Sequence, residues 1–185
     1  MSRLFSFGAG TGLAYRARVQ SVDWKTWVPG ERATLLFVIR DGQILLIRKK
    51  RGLGAGKING PGGRLEPGET PAQAAIRETQ EELCVSAGPP TLHGELHFQF
   101  TDGYSLHCSV FVSHEVEGTP QETDEAVPLW TPLNDIPYHE MWADDIHWLP
   151  GVIEGRFFRG YFLFDGETML THEVNWVPSL ETTPC

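Results

Sequence analysis

Two apolar runs separated by a short polar turn predict a β-hairpin where the regular pattern of the chain begins. The runs are ATLLFVI, residues 33–39, and QILLIRKK, residues 43–50. Asp41-Gly42 stands between them, and this dipeptide readily adopts the positive φ angles of a two-residue hairpin turn. The stretch 51–63 that follows is too rich in Gly and Pro for a helix and predicts a loop.

Further apolar segments predict the rest of a mixed sheet. They predict strands at residues 95–100, 106–113, 126–133, 158–164 and 168–177. The last two form a closing hairpin around Asp165-Gly166. A second helix is expected over residues 144–155, interrupted at Pro150-Gly151, where proline and glycine disfavour helix. Strands interleaved with helices indicate an α/β fold with helices packed on the sheet.

The best-marked helix is predicted from Pro71 to Leu83. Thr70 is a suitable N-cap, Pro71 fits the first helical position, and Gln73 completes a capping box. Apolar and small residues recur at helical spacing and predict a buried stripe made of Ala72, Ala75, Ile76, Thr79 and Leu83. Their small size favours close packing on a sheet.

Composition narrows the class of protein. The chain has 185 residues, a formal charge of −9 and 41% hydrophobic residues, with no apolar run of the roughly 18 residues needed to cross a membrane. This charge argues against a nucleic-acid polymer as partner. Three cysteines without metal-ligand spacing indicate reduced thiols and a cytoplasmic protein. We expect an extension (1–30), one domain (31–178) and a tail (179–185).

Three acidic residues stand close together on the predicted helix. Glu78 and Glu82 lie one turn apart beside the apolar stripe, whereas Glu81 lies farther round toward solvent. A solvated acidic face would explain such a cluster. However, the preceding Gly-rich loop supplies backbone carbonyls, and Arg77 is placed to hold a carboxylate. The pattern therefore favours a site for hard divalent cations, which prefer oxygen ligands.

The same residues resemble a known family motif. Gly63, Glu69, Arg77-Glu78 and Glu81-Glu82 have the spacing of the Nudix box, G-x5-E-x7-R-E-U-x-E-E-x-G-U, with Thr79 and Cys84 in place of an aliphatic residue and the last Gly. The resemblance implies a Nudix α/β/α sandwich with a mixed β-sheet between helices. It also implies attack of water on a nucleoside diphosphate linked to a further group, with Mg²⁺ or alternatively Mn²⁺ as cofactor.

The resemblance also implies roles for individual residues. Glu78 and Glu82 match metal ligands and catalytic residues, together with the Gly62 carbonyl, and Glu125 matches a further metal-site position. Glu81 is a candidate ligand or general base. Lys49, at the end of a strand and before the Gly-rich loop, is placed to meet phosphate.

Three stretches add a narrower resemblance. Residues 49–63, 117–137 and 141–164 are similar to the animal 8-oxo-dGTP diphosphatases. This similarity implies an enzyme that converts oxidised purine nucleoside triphosphates, such as 8-oxo-dGTP or 2-oxo-dATP, to the monophosphate and pyrophosphate. We expect it to be a monomer. The alternatives are a Nudix hydrolase of another nucleotide, such as ADP-ribose, and a non-catalytic nucleotide sensor.

The chemistry of these stretches is suited to a purine pocket. Adjacent acids in a closed pocket cannot both ionise, so such a pair both donates and accepts hydrogen bonds, and an amide reads a base edge with two hydrogen bonds. The expected substrate-binding residues are Thr34, Lys49, Leu53, Asn59, Phe98, Trp142, Asp144 and Asp145. Asp144 as a helix cap, Asn59 as a turn residue and Trp142 as core are the alternatives. The extension is a candidate cap for the pocket.

Overall fold

The computed structural model describes residues 22–177. The predicted C-terminal tail and most of the N-terminal extension lie outside this range. In chain order the elements are β1 (Glu31–Arg40), β2 (Gln43–Lys49), β3 (Ile58–Asn59), α1 (Pro71–Leu83), β4 (Ser86–Ala87), β5 (Thr91–Phe100), β6 (Ser105–Ser113), β7 (Val116–Glu117), β8 (Ala126–Pro132), a 3-10 turn (Tyr138–Glu140), α2 (Asp145–Ile153), β9 (Phe157–Asp165) and β10 (Thr168–Val177).

Eight of the strands form one mixed sheet. Seven run in the order β10-β9-β5-β6-β1-β2-β3, and β8 also pairs with β2. The β1–β6 and β5–β9 pairs are parallel, and the hairpin pairs are antiparallel. The predicted β1–β2 hairpin is confirmed, because Asp41 and Gly42 both have positive φ, 52° and 72°. The closing β9–β10 hairpin is confirmed as well.

The two helices pack on opposite faces of the sheet. Leu83 of α1 belongs to a core with Leu36 and Leu45, and Trp148 of α2 belongs to a separate core with Phe37 and Phe158. Neighbouring residues of a strand point to opposite faces of the sheet. Leu36 and Phe37 of β1 therefore belong to different cores. This arrangement confirms the α/β/α sandwich. Neither helix of residues 22–177 is long and apolar enough to span a bilayer.

Helix α1 begins and ends where the sequence predicts, but its buried face differs. The capping box of Thr70 and Gln73 is formed. The buried residues are Ala74, Ala75, Thr79, Glu82 and Leu83, whereas Ala72 and Ile76 are only half-buried. The helix is therefore rotated relative to the predicted stripe. The rotation turns Glu82 inward, where its carboxylate accepts a hydrogen bond from the Gly62 N–H at 2.9 Å.

Two local features differ from the usual conformational preferences of their residues. Cys84 ends α1 in the left-handed conformation, φ 57° and ψ 32°, at the position where the motif usually has Gly. Helix α2 continues through Pro150 up to Ile153, so the expected interruption at Pro150-Gly151 is wrong. A Cβ on Gly151 would lie 2.1 Å from the Trp176 ring. Gly151 therefore serves the close approach of α2 to β10 rather than a break in the helix.

Candidate functional site

A cavity of about 430 Å³ opens between the sheet and the loops around α2. It brings together residues far apart in the sequence. With one exception the predicted site residues line it, namely Thr34, Lys49, Leu53, Asn59, Gly62, Glu78, Glu82, Phe98, Glu125, Trp142, Asp144 and Asp145. Glu81 is the exception, because its side chain is exposed on the outer face of α1 and pairs with Arg77 at 3.0 Å.

Glu82 is the most buried acid of the cavity, with 1% of its surface exposed. One carboxylate oxygen accepts from the Gly62 N–H, and the other lies 3.3 Å from Lys49 Nζ. Burial raises the pKa of Glu82, and the nearby Lys49 charge opposes that rise. The side chain is thus held in one orientation, facing the Gly-rich loop.

Glu78 is positioned by an arginine that also binds a second acid. Arg77 Nη1 donates to Glu78 at 2.9 Å, and the same guanidinium donates to both carboxylate oxygens of Glu69 at 2.9 Å. Gly63 leaves room for Glu78, since a Cβ there would lie 2.4 Å from the carboxylate. Burial raises the pKa of Glu78. Arg77 and Gly63 together fix this carboxylate beside Glu82.

Glu125 is the third glutamate that lines the cavity, after Glu78 and Glu82, and it pairs with Arg51. Within residues 22–177 no three His, Cys, Asp or Glu side chains are grouped as ligands of one ion; each of these carboxylates is instead paired with a basic side chain. Carboxylate oxygens and the Gly62 carbonyl oxygen are nevertheless the type of ligand that a hard divalent cation prefers. To bind one, Lys49 and Arg51 would have to leave Glu82 and Glu125.

Asp144 and Asp145 form the opposite, buried end of the cavity, with 2% and 3% of their surface exposed. Asp144 accepts a hydrogen bond from the Trp148 indole at 2.9 Å, and Asp145 accepts one from the Trp142 N–H at 3.1 Å. Asp144 has helical backbone angles and makes no side-chain cap hydrogen bond. The geometry therefore does not support the helix-cap alternative for Asp144.

Burial raises the pKa of both carboxyl groups. The hydrogen bond from Trp148 favours ionised Asp144, and the Asp144 charge raises the pKa of Asp145 further. The pair therefore retains a proton above the ordinary range for aspartate, and the two carboxyl groups share it. Such a pair presents one O–H donor and several acceptor oxygens to the cavity.

This proton makes stability depend on pH. Because the pKa of Asp145 is raised on folding, the folded state keeps a proton that the unfolded state has lost. The free energy of unfolding therefore falls as pH rises from the ordinary aspartate pKa, 3.8, toward the raised value, by up to about 1.4 kcal/mol per pH unit. We expect Asp145→Asn to weaken this fall, so that urea unfolding finds the variant gaining stability relative to wild type as the pH is raised above 3.8. Parallel wild-type and variant curves would contradict the assignment.

Aromatic and amide groups form the walls beside the aspartates. Trp142 is half-buried, packs against the core on the α2 side of the sheet and stands edge-on to Phe164, with ring centroids 5.6 Å apart. Phe98 stacks on Phe162 at 5.5 Å. Asn59 ends β3, where its Oδ1 accepts from the Gly60 N–H at 2.8 Å, and its side chain lines the cavity. Leu53 is 49% exposed at the rim.

The buried Thr34 hydroxyl has no hydrogen-bond partner among residues 22–177. An unsatisfied buried hydroxyl costs about 1–3 kcal/mol. Thr34 lies on β1 beside the Gly-rich loop, where its N–H donates to the Gly63 carbonyl at 2.9 Å. A polar ligand group in the cavity would supply the missing partner, which agrees with the expected substrate-binding role.

Several cavity residues are not apparent from sequence patterns. They are Arg64, Phe100, Tyr104, Cys108, Trp148 and Phe164. Trp148 stands one helical turn after Asp144, and this i, i+4 spacing could have predicted that the two side chains lie on the same face of the helix. Cys108 is buried in β6 as expected of a structural residue, yet it also borders the cavity, and burial raises the pKa of its thiol.

The described part of the extension does not cap this cavity. Trp24 packs on Tyr161 and Trp27 on His97, each with ring centroids 5.3 Å apart, and Trp27 Nε1 donates to Gln99 at 3.0 Å. His97 and Gln99 alternate along β5 with cavity-lining residues, so they face the other side of the sheet. The expected cap is therefore wrong for residues 22–30, and the earlier residues lie outside the described range.

Several known proteins are similar to this chain in sequence or structure. The NUDIX domain model matches residues 30–152. The oxidized purine nucleoside triphosphate hydrolase of Danio rerio is 42% identical over 80% of this chain and 96% of that protein. The corresponding mouse protein is 39% identical over 79% and 95%. The Bacillus halodurans MutT structure superposes with a TM-score of 0.70, 25% identity, and coverage of 78% of this chain and 97% of that one. The chain therefore belongs to the Nudix family.

Proposed function

We propose that this protein hydrolyses oxidised purine nucleoside triphosphates to the monophosphate and pyrophosphate and so removes them from the nucleotide pool. The substrates would be free nucleotides of the 8-oxo-dGTP or 2-oxo-dATP type, handled by a cytoplasmic monomer. The names of the zebrafish and mouse relatives support this substrate class, because these two proteins match this chain over most of its length and most of their own.

One observation supports the proposal most directly, namely the buried Asp144–Asp145 pair at the closed end of the cavity. Oxidation of a purine converts acceptor positions on its edge into donors or adds a new carbonyl oxygen. A pair that holds one proton can donate to an added oxygen and accept from a new N–H. Asn59 and the half-buried Trp142 border the same space, and a base stacked on an aromatic ring gains about 1–3 kcal/mol.

The opposite end of the cavity is suited to the phosphates. Mg²⁺ would be held by oxygens of Glu78, Glu82, Glu125 and the Gly62 carbonyl, and it would neutralise charge on the phosphates. Lys49 and Arg51, now paired with Glu82 and Glu125, line this end of the cavity and would bind the phosphate chain. Glu78 and Glu82 lie in the cavity wall whereas Glu81 is exposed, so we assign acceptance of the water proton to one of the first two.

Steady-state hydrolysis with Mg²⁺ tests the proposal. The substrates are 8-oxo-dGTP, 2-oxo-dATP, O6-methyl-dGTP, dGTP and ADP-ribose, measured side by side. We expect a modified purine triphosphate to lead in kcat/KM by at least about tenfold, equivalent to about 1.4 kcal/mol. If ADP-ribose leads, the protein is a Nudix hydrolase of another diphosphate. If no substrate is hydrolysed but a modified nucleotide binds, it is a sensor.

A further inference from the structure

Trp142, a wall of the proposed base pocket, is held by the loop 50–57 as well as by its own segment. A Cβ on Gly54 would lie 2.8 Å from Trp142 Nε1, so only a glycine lets the loop approach the indole this closely. The Lys57 ammonium lies over the indole ring, 5.2 Å from its centroid. Phe164 closes a further side, edge-on to the indole.

Lys57 itself is anchored from two directions. Its ammonium pairs with Glu167 at 3.0 Å, and Glu167 lies in the β9–β10 turn. Its carbonyl accepts from the Lys49 N–H at 3.0 Å, which closes the base of the loop. The Lys57 side chain is 23% exposed. The Lys57 side chain therefore connects the loop 50–57 with the Trp142 indole and the β9–β10 hairpin.

We propose that Lys57, held in place by Glu167, is a positioning residue that fixes the Trp142 indole for base binding. The inference rests on the proposed function, because it assumes that a purine base occupies the space beside Trp142. Lys57 does not line the cavity, so it acts through Trp142. A displaced Trp142 would also disturb Asp145, since the Trp142 N–H donates to that carboxylate at 3.1 Å.

Replacing Lys57 with methionine removes the charge and keeps most of the apolar stem. We expect Lys57→Met to raise the KM for the preferred modified purine triphosphate about fivefold, in line with a partly desolvated cation–π contact, while kcat stays within about twofold of wild type, because the phosphate end is untouched. Lys57→Arg keeps a cation over the ring and should recover most of the lost affinity. Glu167→Gln removes only the anchor, so we expect a rise of about twofold.

The chain contains a matched control. Arg40 lies over the Trp130 ring at the same 5.2 Å, and Trp130 belongs to β8, away from the cavity. Arg40→Met should therefore leave the KM within experimental error. Indole N–H resonances of ¹⁵N-labelled protein, assigned with Trp142→Phe and Trp130→Phe, provide a readout that needs no turnover. Lys57→Met should shift the Trp142 signal, and Arg40→Met should shift the Trp130 signal.

The outcomes separate this inference from the proposed function. If wild type prefers a modified purine but Lys57→Met raises KM no more than Arg40→Met does, the positioning role is overturned and the function stands. An unshifted Trp142 resonance in Lys57→Met overturns the role independently of any substrate. If wild type shows no preference for a modified purine, the proposed function fails and the inference fails with it.

Discussion

Replacing Glu82 with glutamine will abolish hydrolysis of the modified purine triphosphates and leave the fold intact. The substitution keeps the volume and an acceptor oxygen for the Gly62 N–H but removes the charge that a divalent cation requires. Loss of one preorganised electrostatic contact in an active site typically lowers kcat by about 10²–10³-fold, and loss of a proposed metal ligand should cost at least that. Steady-state kinetics over a range of Mg²⁺ concentrations measures the effect.

Stability distinguishes this loss of chemistry from unfolding. Because burial raises the pKa of Glu82, its ionised form destabilises the folded protein at pH values above that pKa. Without added metal, the glutamine variant should therefore be at least as stable as wild type at pH 8. Glu154→Gln is the control, since it removes one charge from an exposed side chain outside the cavity. Retention of more than about a tenth of the wild-type kcat by the Glu82 variant would defeat the metal assignment.

The parts of the fold that local chemistry determines could be predicted from the sequence. The capping box at Thr70 and the positive-φ dipeptide Asp41-Gly42 involve neighbouring residues, and both form as expected. The inward orientation of Glu82 could not be predicted, because its partner Gly62 lies 20 residues earlier in the chain. Nor does the local pattern predict that α2 continues through Pro150, next to Gly151, which packs against Trp176 of β10.

In the candidate site, too, the sequence predicts the local features but not the contacts between residues far apart in the chain. The motif spacing identifies the acids of α1, and resemblance extends the set to Asn59, Asp144 and Asp145. The partners of the site acids come from elsewhere in the fold, since Arg51 reaches Glu125 across 74 residues and Lys49 reaches Glu82 across 33. Lys57 has no motif of its own, and only the folded chain places it over Trp142. Pairings of this kind depend on loop paths that local patterns do not encode.

Replacing Asp145 with asparagine will reduce discrimination between modified and unmodified purines much more than it disturbs the fold. Asparagine still accepts from the Trp142 N–H, but it presents a fixed donor and acceptor where the carboxyl pair shares a proton. A well-placed pair of hydrogen bonds to a base edge is worth about 1–3 kcal/mol of discrimination, so the ratio of kcat/KM for 8-oxo-dGTP over dGTP should fall by about 10–100-fold. Asp144→Asn should act in the same direction, because its amide oxygen can still accept from Trp148 while the charge that raises the Asp145 pKa is lost.

The discrimination experiment has an internal control in the phosphate chemistry. Both asparagine variants keep Glu78, Glu82 and Lys49, so the unmodified nucleotide should be hydrolysed at a rate close to that of wild type. A fall confined to the modified substrate locates the effect at the base. An equal fall for both substrates would instead indicate a displaced α2, since Asp145 is the first residue of that helix. Unchanged ratios in both variants would remove the aspartates from base recognition and leave them a structural role at the start of α2.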